Sequence, residues 1–175
     1  GMVGMWDYTM ITLSQLIVSV TLSVGFAIPL GILSARSDRI DAVLRPILDT
    51  MQTLPAFVYF PLVIMLFRIG ELSGIIATVI YAIPPAVRLT NLGIRQVPES
   101  AMEGARSFGS TPFQLLTKVQ IPMALPSVMM GINQTTIMAI AMVAYAALIG
   151  AQGLGQQVLY AIGSFDVGKG FEAGM

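Results

Sequence analysis

Glu103-Gly104-Ala105-Arg106-Ser107-Phe108-Gly109, running on to Val119-Gln120-Ile121-Pro122, is a mostly polar island between long apolar segments. Arg88, Arg95, Arg106 and Lys118 lie in or beside it. Pro98-Glu99 places a proline at a first helical position with an acid behind it, which suits the positive end of a helix dipole. Thr111-Pro112-Phe113-Gln114 reads as a capping box, in which hydroxyl and amide satisfy orphan backbone N–H groups reciprocally. Gly109 stands between the two starts, where a helix can end with positive φ. The stretch therefore predicts helix, glycine turn, helix, set on a membrane surface. Such a structured knob is more than a simple connection between two spans requires.

Composition sets the class. The 175 residues are 55% hydrophobic and only 10% charged, and the mean hydropathy is +0.81. A soluble domain carries about 25% charge. The chain reads as all-α, a polytopic transmembrane helical bundle. Net charge is zero, which gives no electrostatic case for nucleic acid. Cys and His are absent. Disulfides, Cys or His metal sites, thiol nucleophiles and His acid–base chemistry go with them, so no metal site and no catalytic residue are expected.

Charges cut the chain into apolar windows, and a span needs roughly 20 apolar residues. The windows predict spans at 9–34, 46–68, 72–89 and 123–149, with a loop at 96–119, all in one domain over 1–175. The third is short and calls for Arg88 to snorkel to the interface. A glycine-rich break follows at Gly150, Gly153 and Gly155, then a short interfacial helix over Gln156–Ile162. The glycines imitate a phosphate loop, but no strand precedes them and no Lys-Ser/Thr follows, so they read as a turn. The first 35 residues hold no Lys or Arg, so no cleavable leader is expected.

Seven of the nine cations fall in the connections between spans one and two and between spans three and four; Arg68 and Lys169 fall opposite. By the positive-inside rule the seven-cation side is cytoplasmic and the N-terminus lies outside. Trp6-Asp7-Tyr8 then reads as an outer interfacial anchor.

Glu-x-Ala, three residues, Gly, nine residues, then apolar-x-apolar-Pro resembles the EAA loop of the membrane subunits of bacterial ABC importers. Gly104 stands where that family usually has Ala, a loss of about 1 kcal/mol in helix propensity. Gln52-Thr53-Leu54-Pro55, the run from Ile83 to Arg95, and Gly131-Ile132-Asn133-Gln134-Thr135 are similar to the glycine betaine/proline betaine/carnitine permeases. The similarity covers about Ser14 to Met175. It implies a type I ABC importer permease-like core with cytoplasmic coupling helices, in the bacterial inner membrane. Family members usually continue beyond both ends, so the chain is expected to be the core of a longer permease.

The resemblance also implies partners. They are a cytoplasmic ATP-binding subunit, a second permease copy forming a homodimer, and an extracytoplasmic substrate-binding protein or fused domain. It implies no cofactor in this chain, with ATP and Mg held by the partner ATPase. Glu103, Gly104, Ala105, Arg106, Ser107 and Gly109 are the expected ATPase-coupling residues. Glu103 has Glu99 at i,i+4, and Arg106 at i,i+3 offers it a partner.

Other features keep two readings. Asn133-Gln134-Thr135-Thr136 is a polar run within the fourth span; it lines a translocation path or serves as interhelical glue. Tyr59, Tyr81 and Tyr145 form a transient cation–π cage for a quaternary ammonium, or pack as ordinary membrane aromatics. Prolines 29, 55, 61, 84, 85 and 126 kink helices that shape a pore, or are tolerated membrane prolines. Gly25, Ala27, Gly31 and Ala35 permit close helix packing.

Three function classes are in play: the permease of an ATP-driven importer for compatible solutes or another small solute, an ion-coupled secondary transporter or channel, and an intramembrane enzyme. A secondary transporter wants an ionisable group near the midplane, and Asp49 sits only at the end of a span. An intramembrane hydrolase wants His, Cys or paired Asp, and none is placed for it. No Walker A pattern is present. The chain offers a path without a motor, which favours the first class.

Overall fold

A computed structural model describes residues 2–146 and 150–163, with side chains from Trp6 onward. Lys169, the end of the predicted fourth span at Ile149, and Phe171–Met175 lie outside the described residues. Among the described residues all regular structure is helical. The order is α1 (Met2–Arg36), α2 (Asp38–Thr53), a 3₁₀ turn (Ala56–Val58), α3 (Tyr59–Phe67), α4 (Glu71–Arg95), α5 (Glu99–Ser107), α6 (Pro112–Leu115), a π-helical turn (Leu116–Gln120), α7 (Ile121–Ala146) and α8 (Leu154–Gly163).

Among the described residues three single helical runs are long and apolar enough to cross a membrane: Trp6–Arg36, Glu71–Arg95 and Pro112–Ala146. Over the expected span at 46–68, α2 and the Ala56–Phe67 segment together are also long and apolar enough to cross, but they are bent by 102° at the break, as a broken span or a re-entrant loop is. Leu54-Pro55 accounts for the bend. Proline has no N–H to continue the ladder and drives the residue before it out of the α region. Pro55 itself sits at φ −57°, ψ 139°, ahead of the 3₁₀ turn. Pro29, Pro84, Pro85 and Pro126, by contrast, lie inside continuous helices.

The chain groups into two compact units. The first takes residues 1–23, 52–82 and 136–175. Its core is Tyr59, Phe60 and Val63 of α3 against Ala77 of α4 and Met142 and Ala146 of α7. Here α1 holds the start of α8: the Leu154 N–H donates to Thr12 Oγ1 at 2.9 Å, and Gln15 Nε2 donates to the Gln152 carbonyl at 3.2 Å. The predicted glycine turn is thus real, with Gly150 and Gly153 at φ +81° and +143°.

The second unit takes residues 24–51 and 83–135. It carries seven of the nine cations and five of the nine acids, so the charge asymmetry read along the sequence is gathered on one compact body. One core cluster is Ala27, Leu48, Ala86 and Val87; a second is Ile94, Ala124 and Val128. Glycines let the helices approach closely. A Cβ on Gly31 would lie 2.6 Å from Thr90 Cβ and 2.9 Å from the Val87 carbonyl oxygen. One on Gly93 would lie 2.6 Å from Ser127 Cβ. Gly25, expected to serve the same purpose, has nothing within 4 Å. It projects from another face of α1, because the Gly31 contact with α4 fixes which stripe is turned inward.

Gly31→Val is expected to destabilise the chain by about 1–3 kcal/mol, the usual cost of overpacking. Thermal unfolding of the full-length protein in detergent checks this. Gly25→Val, at an open position, serves as the control and should shift the midpoint far less.

Candidate functional site

The knob is built by local chemistry. Pro98 is the N-cap of α5, at φ −58°, ψ 136°, one position earlier than the sequence suggests; Glu99 is the first helical residue. The Pro98 carbonyl accepts from the Ala101 and Met102 amides at 3.1 and 3.3 Å. At the other end Ser110 N–H donates to the Ala105 carbonyl at 3.2 Å, and Gly109 N–H to the Arg106 carbonyl at 2.9 Å. This pair of bonds is a Schellman closure, and it demands the left-handed backbone that Gly109 supplies at φ +76°. The capping box is present in full. Thr111 N–H donates to Gln114 Oε1 at 2.9 Å, and Gln114 N–H to Thr111 Oγ1 at 3.3 Å.

Burial and charge give the knob two faces. Met102, Leu115 and Leu116 are buried, while Phe108 is 93% and Phe113 69% exposed. Glu103, Gly104, Arg106, Ser107 and Gly109 are all exposed, and Ala105 is half-buried. Arg106 does not pair with Glu103 as its spacing suggests. It reaches Glu99 Oε1 at 3.0 Å, seven residues back. Glu103 keeps no ion pair among the described residues. Its carbonyl accepts from Ser107 Oγ at 2.9 Å, but its carboxylate projects free from the exposed face. A Cβ on Gly104 would meet nothing within 4 Å, so glycine here costs helix propensity and fulfils no steric need.

Beyond the knob, a π turn runs from Leu116 to Gln120, with Ile121 N–H bonded to the Leu116 carbonyl. π turns insert one extra residue into a helix and concentrate at functional sites.

Residues 27–173, which include this knob, match the family described as the binding-protein-dependent transport system inner membrane component. The chain belongs to that family. The permease is 48% identical over 168 residues to the glycine betaine/proline betaine transport system permease protein ProW of Escherichia coli, covering 96% of this chain and 48% of ProW. It is 49% identical over 164 residues to the glycine betaine/carnitine transport permease protein GbuB of Listeria monocytogenes, covering 94% of this chain and 58% of GbuB. The chain thus spans about half the length of the curated relatives it matches. Among solved structures it is similar to the MetNI methionine ABC transporter in an inward-facing conformation. The TM-score is 0.81 at 22% identity, over 94% of this chain and 83% of that one. The fold is that of type I ABC importer permeases.

The other predicted site residues of the permease are distributed as follows. Tyr59 and Tyr81 come together edge-to-face, with ring centroids 5.6 Å apart, and Tyr59 is buried. Tyr145 tilts against Phe57 at 4.8 Å. In α7, Asn133 and Gln134 are exposed and Thr135 is fully buried. Consecutive helical residues lie about 100° apart, so the polar run divides between two faces.

A polar network in the second unit has no counterpart in the sequence reading. Asn91 Nδ2 donates to Ser34 Oγ at 2.6 Å and to Asp41 Oδ1 at 3.0 Å. Arg95 bonds the Ser34 carbonyl at 2.9 Å and Asp38 at 2.8 Å, and lies 3.8 Å from Asp41. Arg45 reaches Asp41 at 2.6 Å, and Arg88 pairs with Asp49. Only Asp41–Arg45, at i,i+4 on α2, is legible as a sequence spacing.

Proposed function

We propose that this permease is the membrane path of an ATP-driven importer for compatible solutes such as glycine betaine, and that the knob is where a separate ATPase drives it. One observation carries the reading. A rigidly capped helix–turn–helix, too polar for lipid, presents a free carboxylate at Glu103 on the cation-rich end of a membrane protein. The positive-inside rule puts that end in the cytoplasm.

Glu103, Gly104, Ala105, Arg106, Ser107 and Gly109 form the coupling surface, and loop 96–119 is the coupling loop. ATP and Mg belong to the partner ATPase, and this chain needs no cofactor. Two permease copies pair about a two-fold axis around the path. An extracytoplasmic binding protein, separate or fused, delivers the solute and supplies most of the selectivity. Asn133, Gln134 and Thr135 line part of the path and do not discriminate strongly. The solute class is supported by the relatives: the names of ProW and GbuB carry glycine betaine, proline betaine and carnitine.

The test uses the full-length permease, co-purified with its ATPase and reconstituted in vesicles with the binding protein. Radiolabelled betaine should accumulate only with ATP and only when the ATPase is present. Uphill uptake by the permease alone, without nucleotide hydrolysis, overturns the reading.

A further inference from the structure

The polar network surrounds a pocket of about 300 Å³ in the second unit, far more than the roughly 10–15 Å³ that one water needs. Arg45, Arg88, Asn91 and the carboxylate of Asp41 line it, together with Leu44, Leu48 and Leu92. Two features single it out. The Arg88 Nε–H is buried and has no acceptor among the described residues. Among the described residues Arg45, 67% exposed, pairs with Asp41 alone, and Arg88 pairs with Asp49, itself 56% exposed; partly exposed pairs of this kind contribute little. Asp41 does not depend on Arg45, because Asn91 already donates to it and Arg95 lies beside it. Both guanidiniums are therefore free to turn to a better acceptor without stranding a buried carboxylate.

We propose that this pocket binds a phosphate ester, and that its source is the headgroup of an anionic phospholipid. A phosphate accepts bidentate, charge-assisted bonds from two guanidiniums and gives the Arg88 Nε–H the acceptor it lacks. The leucine wall sets the source. Leu44, Leu48 and Leu92 lie beside the charged groups; Leu92 on α4 is 46% exposed, and the neighbouring apolar Ile47 of α2 is 49% exposed. Free phosphate has no use for that wall, whereas the glycerol and upper acyl chains of a lipid cover it. Basic pockets between membrane helices on the cytoplasmic side suit such headgroups. The orientation proposed above puts this pocket in that leaflet, but the binding chemistry does not depend on the importer reading.

The test reads bound lipid and not transport. Full-length permease is reconstituted with phosphatidylcholine and phosphatidylglycerol, extracted in mild detergent, and its retained lipid quantified. Phosphatidylglycerol should be enriched about fivefold over the bulk ratio, a gain of the size expected for charge-assisted bonds. The enrichment should fall to the bulk ratio in the double variant Arg45→Gln, Arg88→Gln, and drop measurably in Arg45→Gln alone, whose exposed side chain is not needed for folding. Arg36→Gln with Arg39→Gln, which removes two cations outside the pocket, should leave it unchanged. A parallel arm adds inorganic phosphate to protein in phosphatidylcholine alone. Thermal stabilisation by phosphate that is lost in the double variant, with no lipid enrichment, keeps the phosphate site and assigns it a soluble source. Enrichment that is equal in the double variant, or neither effect in the unaltered protein, overturns the site.

Discussion

Glu103→Lys is expected to abolish ATP-coupled uptake while the chain still folds and inserts. The expected loss is roughly a hundredfold or more, equivalent to about 2.7 kcal/mol of docking or coupling free energy. Folding should survive for a specific reason. Glu103 has no ion pair to lose among the described residues, since Arg106 is engaged with Glu99. A lysine at 103 would sit four residues after Glu99, the favourable order for a helical ion pair. Helix α5 should therefore be as stable in the variant as before, and the damage should appear only where a partner meets the surface. Uptake in vesicles and co-purification of the ATPase, measured on one preparation, check this. A variant that transports normally removes Glu103 from the coupling surface.

Gly109→Val should produce a comparable loss by another route. Nothing lies within 4 Å of a Cβ built on Gly109, so the substitution causes no clash. The penalty is purely conformational: a β-branched residue at φ +76° is a genuine outlier, and the left-handed region costs an L-residue about 1–2 kcal/mol. Relief requires the turn to open, which breaks the Ser110-to-Ala105 and Gly109-to-Arg106 bonds and misaligns the start of α6. Gly109→Asn separates strain from side-chain bulk, because asparagine tolerates this backbone region. The asparagine variant should retain most ATPase docking and the valine variant little. Equal docking by the two variants removes the turn from the mechanism.

The knob was legible because each of its parts is local. A capping box spans four residues, and a helix-ending glycine announces itself between two helix starts. The apolar windows were legible for the same reason, since hydropathy needs no partner. What escaped was contact at long range. Arg106 lies three residues from Glu103 and seven from Glu99, and spacing favoured the nearer acid. A seven-residue separation is also two turns on one face, and the longer reach won. Asn91, Ser34, Asp41 and Arg95 belong to three helices, and no periodicity within any one of them signals that they meet. Gly31 and Gly25 looked equivalent in sequence, and only the position of Thr90 distinguishes them. The bend at Leu54-Pro55 has a sequence signal, a proline in mid-window, but hydropathy alone reads straight through it.

The knob joins its two neighbouring helices differently, with the π turn at Leu116–Gln120 on one side only. Toward α4 it is tethered through Gln96–Pro98, outside any helix. Toward α7 the run Pro112–Ala146 continues for 35 residues, a shaft of about 50 Å at 1.5 Å per residue. In the coupling proposed above, force on the knob reaches α7 through this turn, whose i→i+5 bonding interrupts the α-helical ladder.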